Sequence, residues 1–317
     1  MNGLISALLS LIDSYLDLHD HIAFVSVCKK FQRIRVDYRK SWSNYLMKNY
    51  EFDLRFLKYL IQYHQFNDIR VIWKLSLAHV KLFASLAKFN PNEGLFEACL
   101  NGNLEIVNLM IQYGADAWNG GLYRACRKGC IPIIQIMINK GASAWNGGLL
   151  EACLNGNFEI SRLLIYHGAN EYNRALRFAC HRNNMDLIHL LIQHGANDWD
   201  AGLFGACFGG HKDIVLLMIE LGANDWNRGL FYAGGSGKLE IVQLLIDRGA
   251  NDWNHGLLGA CLGGSMNIVN LMIQHGADDW NGGLRCACKE GNTTMIKLMI
   301  QYGARRCGWC SRSIIEH

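Results

Sequence analysis

Four sets of residues carry groups able to do chemistry, and their spacing decides what each is for. Of twelve cysteines, seven recur in one 27-residue phase, namely Cys99, Cys126, Cys153, Cys180, Cys207, Cys261 and Cys288, with Gly234 in the skipped slot. If the units stack, equivalent positions lie about 8–10 Å apart, whereas a disulfide needs Cα atoms within about 7 Å. The phased cysteines are therefore expected as buried thiols packed between units. They should be inert, because reactivity requires an accessible thiol of lowered pKa. Cys307 and Cys310 form a lone CxxC pair. A zinc site takes four protein ligands, which Cys286 and Cys288 complete only if the tail folds back, so neither metal nor redox chemistry is expected there. His167, His194 and His275 share one position in their units, beside a helix C-terminus whose dipole favours them. The GGSGK of residues 234–238 has the composition of a phosphate loop, but no strand precedes it and it falls between two helices. No residue is assigned a catalytic, metal-binding or cofactor-binding role, and no enzyme activity is expected.

The elements that position these residues follow from the same period. Leu95, Leu122, Leu149, Leu176, Leu203, Leu230, Leu257 and Leu284 keep the interval of 27 without an insertion, as do eight glycines from Gly114 to Gly303. Such regularity marks a stack of units rather than a single irregular core. In residues 227–249, NRGLFYAGGSGKLEIVQLLIDRG, two short apolar segments flank Gly237. The second places Ile241, Leu244 and Leu245 on one helical face with Val242 beside them. Helices this short do not hold themselves together in isolation, so stacking must stabilise them. Asn119, Asn146, Asn173, Asp200, Asn227, Asn254 and Asn281 are expected to cap the first helix of each unit. The Gly114 series is expected as the left-handed residue after the second.

The stretch between units reads GADAWN, GASAWN, GANEYN, GANDWD, GANDWN and GADDWN in turn. It is expected to be a connection in which Trp118, Trp145, Tyr172, Trp199, Trp226, Trp253 and Trp280 cover the seam between units. A contiguous aromatic binding strip is the alternative. Pro91 is expected as the last irregularity before the array.

The pattern GLLxACxxGNxEIVxLLIxxGAN, clearest in GLLGACLGGSMNIVNLMIQHG of residues 256–276, resembles the ankyrin repeat. An ankyrin unit has about 33 residues, and the shortfall here lies where that family carries its β-hairpin. The resemblance implies an all-α, ankyrin-like helical-repeat solenoid with reduced or absent β-hairpins, binding a protein target on the concave face lined by its first helices. Residues 4–34 follow a different pattern. LISALLSLIDSYLDL and VCKKF, with Trp42 beyond them, resemble an F-box, the small helical module that docks substrate receptors onto the adaptor of cullin-RING ubiquitin ligases. Ile5 stands where that family usually has proline. This resemblance implies adaptor docking through Leu4, Leu8, Leu9 and Leu16; a helical cap on the stack is the alternative. Tandem units joined to such a module are also similar to proteins of giant DNA viruses of amoebae.

The expected organisation is an F-box-like module at 1–50, linking helices and a degenerate unit at 51–92, eight phased units at 93–304 and a tail at 305–317. Once the scaffold positions are set aside, two clusters remain on the first helices. Arg124, Arg127, Lys128, Arg177, His181 and Arg182 form a basic region interrupted by Glu151, and Phe204, Phe208, Phe231 and Tyr232 form an aromatic one. The expected partner-binding residues are Tyr123, Arg124, Arg127, Arg177, Phe204, Phe208, Phe231 and Tyr232, because aromatics and arginines dominate interface energetics. They suit an acidic or amphipathic peptide. A net charge of +4, from 31 basic and 27 acidic residues, is too balanced for global steering of nucleic acid or membrane. The basic residues do not repeat with the array, and no nucleic-acid reader motif occurs. Without a basic n-region before the first apolar run, and without an uncharged span of about 18 apolar residues, the chain is expected to be intracellular, in the cytoplasm.

Overall fold

A computed structural model describes residues 80–81 and 89–305 of the chain. The F-box-like residues Leu4, Leu8, Leu9 and Leu16, the degenerate unit and the Cys307/Cys310 pair lie outside the described residues. The chain divides between Lys88 and Phe89, and the sixteen helices below belong to the second unit.

Eight helix pairs follow one another: α1 (Pro91–Asn101) with α2 (Leu104–Gln112), α3 (Trp118–Lys128) with α4 (Ile131–Asn139), α5 (Trp145–Leu154) with α6 (Phe158–Tyr166), and α7 (Tyr172–His181) with α8 (Met185–Gln193). Then come α9 (Trp199–Gly209) with α10 (Lys212–Leu221), α11 (Trp226–Ser236) with α12 (Leu239–Asp247), α13 (Trp253–Gly263) with α14 (Met266–Gln274), and α15 (Trp280–Glu290) with α16 (Thr293–Gln301). Among the described residues there is no strand. Each first helix packs against the first helices before and after it and against its own second helix, so the fold is the expected all-helical repeat solenoid.

The core is built from columns of equivalent residues. The phased leucines are at most 1 % exposed, and the alanine and cysteine that follow at Ala98/Cys99 through Ala260/Cys261 are fully buried. From the second helices come Ile106, Val107 and Met110 and their equivalents. The glycine before seven of the eight leucines, with Ala175 before Leu176, makes room for this packing. A Cβ on Gly202 or Gly256 would stand 2.4 Å from the sulfur of Met218 or Met272. The thiols lie between units as expected, with Cys180 Sγ 4.0 Å from Met218 Sδ in the next unit. Cys288 departs from the column and is only half-buried, because no further described helix stacks on α15.

Three sequence expectations need correction. The asparagines named as caps lie inside the first turn of their helices, and residues such as Asp198, Asp225 and Asp252 occupy the cap position. Asn227 Oδ1 instead accepts from the backbone N–H groups of Asn251 (2.8 Å) and Asp252 (2.9 Å) in the next unit. The same pair of bonds runs from Asn92, Asn119, Asn146, Asn173, Asp200 and Asn254 to residues 24 and 25 positions on. A side-chain ladder thus ties successive connections together where a longer repeat would use strand pairing.

The tryptophans are likewise not in the connection, since each opens a first helix and is half-buried. Four of the aromatics in this column stack on the residue that ends the second helix of the same unit: Trp145 on His167 (5.2 Å), Tyr172 on His194 (5.8 Å), Trp253 on His275 (4.4 Å) and Trp280 on Tyr302 (4.8 Å). The phased histidines therefore pair with the ladder aromatics at the C-caps of α6, α8 and α14. Pro91 is no irregularity: it takes the tryptophan slot of the first unit, where a first-turn proline loses no hydrogen bond.

Candidate interaction surface

The outward face of the first helices is set by how closely those helices approach. Two interfaces are tighter than the rest because of glycines spaced four apart. A Cβ on Gly205 would lie 2.1 Å from the carbonyl oxygen of Arg177, and one on Gly209 2.4 Å from that of His181, so α9 meets α7 backbone to backbone. Gly259 and Gly263 bring α13 onto α11 in the same way, at 2.0 Å from the Phe231 oxygen and 2.3 Å from the Gly235 oxygen. Small residues one helical turn apart let backbones approach in this manner. Gly234 breaks the cysteine column for the same reason, since its Cβ would stand 2.9 Å from the Ala260 nitrogen.

Over these close interfaces the structure gathers five of the expected partner-binding residues. The Arg177 guanidinium lies 5.2 Å from the Tyr232 ring centroid and donates to the Tyr232 hydroxyl at 3.2 Å. It reaches from α7 to α11 across α9. Tyr232 stacks on Phe204 at 5.4 Å and meets Phe208 and Phe231 edge-on at 6.3 and 5.4 Å. Phe204 is buried, 5 % exposed, beneath the Arg228 guanidinium at 4.7 Å, so it supports the face rather than forming it. Phe208 is 52 % exposed, and Arg177, Phe231 and Tyr232 are half-buried.

His181 stacks against Phe208 at 5.1 Å, and its buried Nδ1 has no hydrogen-bond partner. Burial, followed by the charges of Arg182, His211 and Arg177, holds its pKa below the ordinary histidine value. It therefore adds a neutral ring to the face at neutral pH. No carboxylate lies within ion-pair distance of Arg177 or Arg228 among the described residues.

The other expected residues stand apart from this cluster. Arg124 is occupied within its own neighbourhood, 3.8 Å from Glu97 and 4.9 Å over the Phe96 ring. Tyr123 donates its hydroxyl to Glu151, and Arg127 is exposed. Unit three, with Leu150, Glu151 and Leu154, separates these residues from Arg177. Sequence reading missed the glycines at 205, 209, 259 and 263, although their spacing of four inside two first helices was a usable signal. It also missed the charge alternation in one column, Glu97, Arg124, Glu151.

Among the described residues no helix is long and apolar enough to cross a membrane. None of their histidines, cysteines and carboxylates cluster as a metal site would. Residues 122–200 and 149–229 match the family model described as Ankyrin repeats (3 copies). No curated protein matches the chain. Residues 122–229 therefore carry ankyrin repeats, which indicate a protein–protein interaction module.

Proposed function

We propose, on the premise that ankyrin repeats form the array, that this chain holds a protein target against the first helices of units four to six. The target presents an acidic, amphipathic segment. One observation carries this reading: Arg177 and Arg228 lie over aromatic rings with no carboxylate partner among the described residues, beside the exposed ring of Phe208. A carboxylate on the target satisfies the guanidinium groups, and its apolar side chains cover Phe208, Phe231 and Tyr232. Aromatic and arginine side chains in such a patch supply most of an interface's energy, while the charges set association rate and partner choice. Affinity capture with the intact chain, compared with a Phe208→Ala/Tyr232→Ala form, tests it. The target should be retained by the first and lost by the second; equal retention by a folded variant refutes the placement.

The amino-terminal residues extend the proposal. The resemblance of SYLDL and VCKKF to an F-box supports a substrate receptor that couples the repeat-bound target to a cullin-RING ligase adaptor through Leu4, Leu8, Leu9 and Leu16. Capture of that adaptor by the full chain, abolished by Leu8→Glu/Leu9→Glu, is the expected result. A full chain that retains its target but never the adaptor would leave a plain interaction scaffold whose amino-terminal helices cap the array.

A further inference from the structure

Away from the arginine-aromatic face, three successive first helices enclose an open cleft of about 370 Å³. Tyr123 of α3, Leu150 and Leu154 of α5 and Phe178 of α7 provide its apolar walls, Glu151 of α5 lies among them, and Gly147 with the paired Glu171 and Arg174 completes the lining. Glu151 is only 9 % exposed. Its Oε1 accepts from the Tyr123 hydroxyl, and its Oε2 has no hydrogen-bond partner among the described residues. Oε2 is not fully enclosed, and Glu151 lines the cleft. The neighbouring charges do not neutralise it. Arg174 is paired with Glu171 and Arg124 with Glu97, while Arg127 is exposed and forms no ion pair with Glu151.

A carboxylate held in an apolar cleft carries an unpaid desolvation cost unless a cation completes it. The shape selects which cation. Apolar walls and two aromatic rings suit a planar, weakly hydrated guanidinium, which stacks on rings and bonds a carboxylate, better than a compact ammonium.

The geometry points to this cleft as a specificity pocket for a single arginine side chain of a bound peptide, with Glu151 as its anion. The site is separate from the face around Arg177 and stands whether or not the function proposed above is correct. The two sites are of opposite charge and lie one unit apart, so a segment spanning both would carry its arginine toward unit three and its acid toward unit five.

The test uses the full chain with 13C-labelled leucine methyls and three capped peptides, Ala-Ser-Xaa-Ser-Ala, in which Xaa is arginine, norleucine or glutamate. The arginine peptide should shift the Leu150 and Leu154 methyls and bind about tenfold more tightly than the norleucine one, the effect of one charge-assisted pair. The glutamate peptide should leave those methyls unmoved. Glu151→Gln, which keeps the side-chain volume, should bring arginine down to the norleucine level with the other leucine methyls in place. Equal binding of arginine and norleucine by the unaltered chain, or shifts that bypass Leu150 and Leu154, overturns the assignment, and so does the absence of binding by all three. The peptide comparison needs no variant and therefore decides the matter even where Glu151→Gln fails to fold.

Discussion

Replacing Gly205 by alanine tests the packing that shapes the proposed face. Judged by helix propensity alone, the change is favourable by about 0.5–1 kcal/mol, because glycine in a helix interior loses more backbone entropy than alanine. Contact reverses the sign. The new Cβ would stand 2.1 Å from the Arg177 carbonyl oxygen, a backbone atom that cannot rotate away. Ordinary contact needs about 3.4 Å, so α9 and α7 must part by about 1.3 Å. Overpacking of this kind costs about 1–3 kcal/mol, for a net loss of up to about 2.5 kcal/mol after the propensity gain. Gly235, one unit on and also inside a helix, is the control, because its nearest neighbour would be 3.9 Å away. Gly235→Ala should stabilise by about 0.4–1 kcal/mol. Urea unfolding gives the free energies, and hydrogen exchange in α7 and α9 locates the change. The Arg177 to Tyr232 bridge, which spans α9, should also weaken as α9 and α7 part. Equal midpoints for the two variants, or faster exchange elsewhere than in α7 and α9, would refute the reasoning.

Three further outcomes are expected. Asn227→Ala removes an acceptor from two N–H groups and should cost about 1–2 kcal/mol in urea unfolding, near the low end per bond because the site is exposed; Asn227→Asp should lose less than half of that, since Asp200 already plays the part with bonds of 2.8 and 2.9 Å. Burial pushes the Cys99, Cys126, Cys180 and Cys261 thiols up to about 12, Cys153 up to about 11 and Cys207 higher still, so peptide mapping after brief alkylation at pH 8 should find Cys130 modified and these six intact. Tyr123 titrates above the ordinary tyrosine value of 10.0, first because its hydroxyl is bonded to Glu151 and then through burial and the Glu151 charge. The neutral phenol is the form the fold favours, so its contribution is present below pH 10 and lost as the pH rises through the raised value. In Glu151→Gln the Tyr123 ring carbon resonance should titrate closer to the ordinary value; an unchanged titration would mean the bond is not made.

What the sequence made legible depends on how far away each residue's partner lies. Helix pairing, the leucine and cysteine columns and the terminal glycines follow from a period and from local rules, and the left-handed Gly114 and Gly222, with φ of 90° and 116°, stand where the turn chemistry puts them. The asparagines looked like caps because capping is a local habit of that residue. Their acceptors are instead claimed by N–H groups 24 and 25 residues on, which no local pattern shows. Trp145 looked like part of a turn because its neighbours are Gly, Ala, Ser and Asn, yet stacking on His167 at the far end of its unit draws it into a helix. Gly205 was passed over for the same reason, since the carbonyl it accommodates belongs to the preceding unit. Arg177 and the aromatics could be chosen from the variable column, but their union depends on that glycine.

The central claim is that the face around Arg177 and Tyr232 receives a partner. Hydroxyl-radical footprinting of the full chain, with and without the protein it captures, tests this most directly. Protection should fall on Phe208, Phe231 and Tyr232 while Tyr166, 84 % exposed at the end of α6, stays reactive. Protection of Tyr166 with Phe208 and Tyr232 unaltered would contradict it.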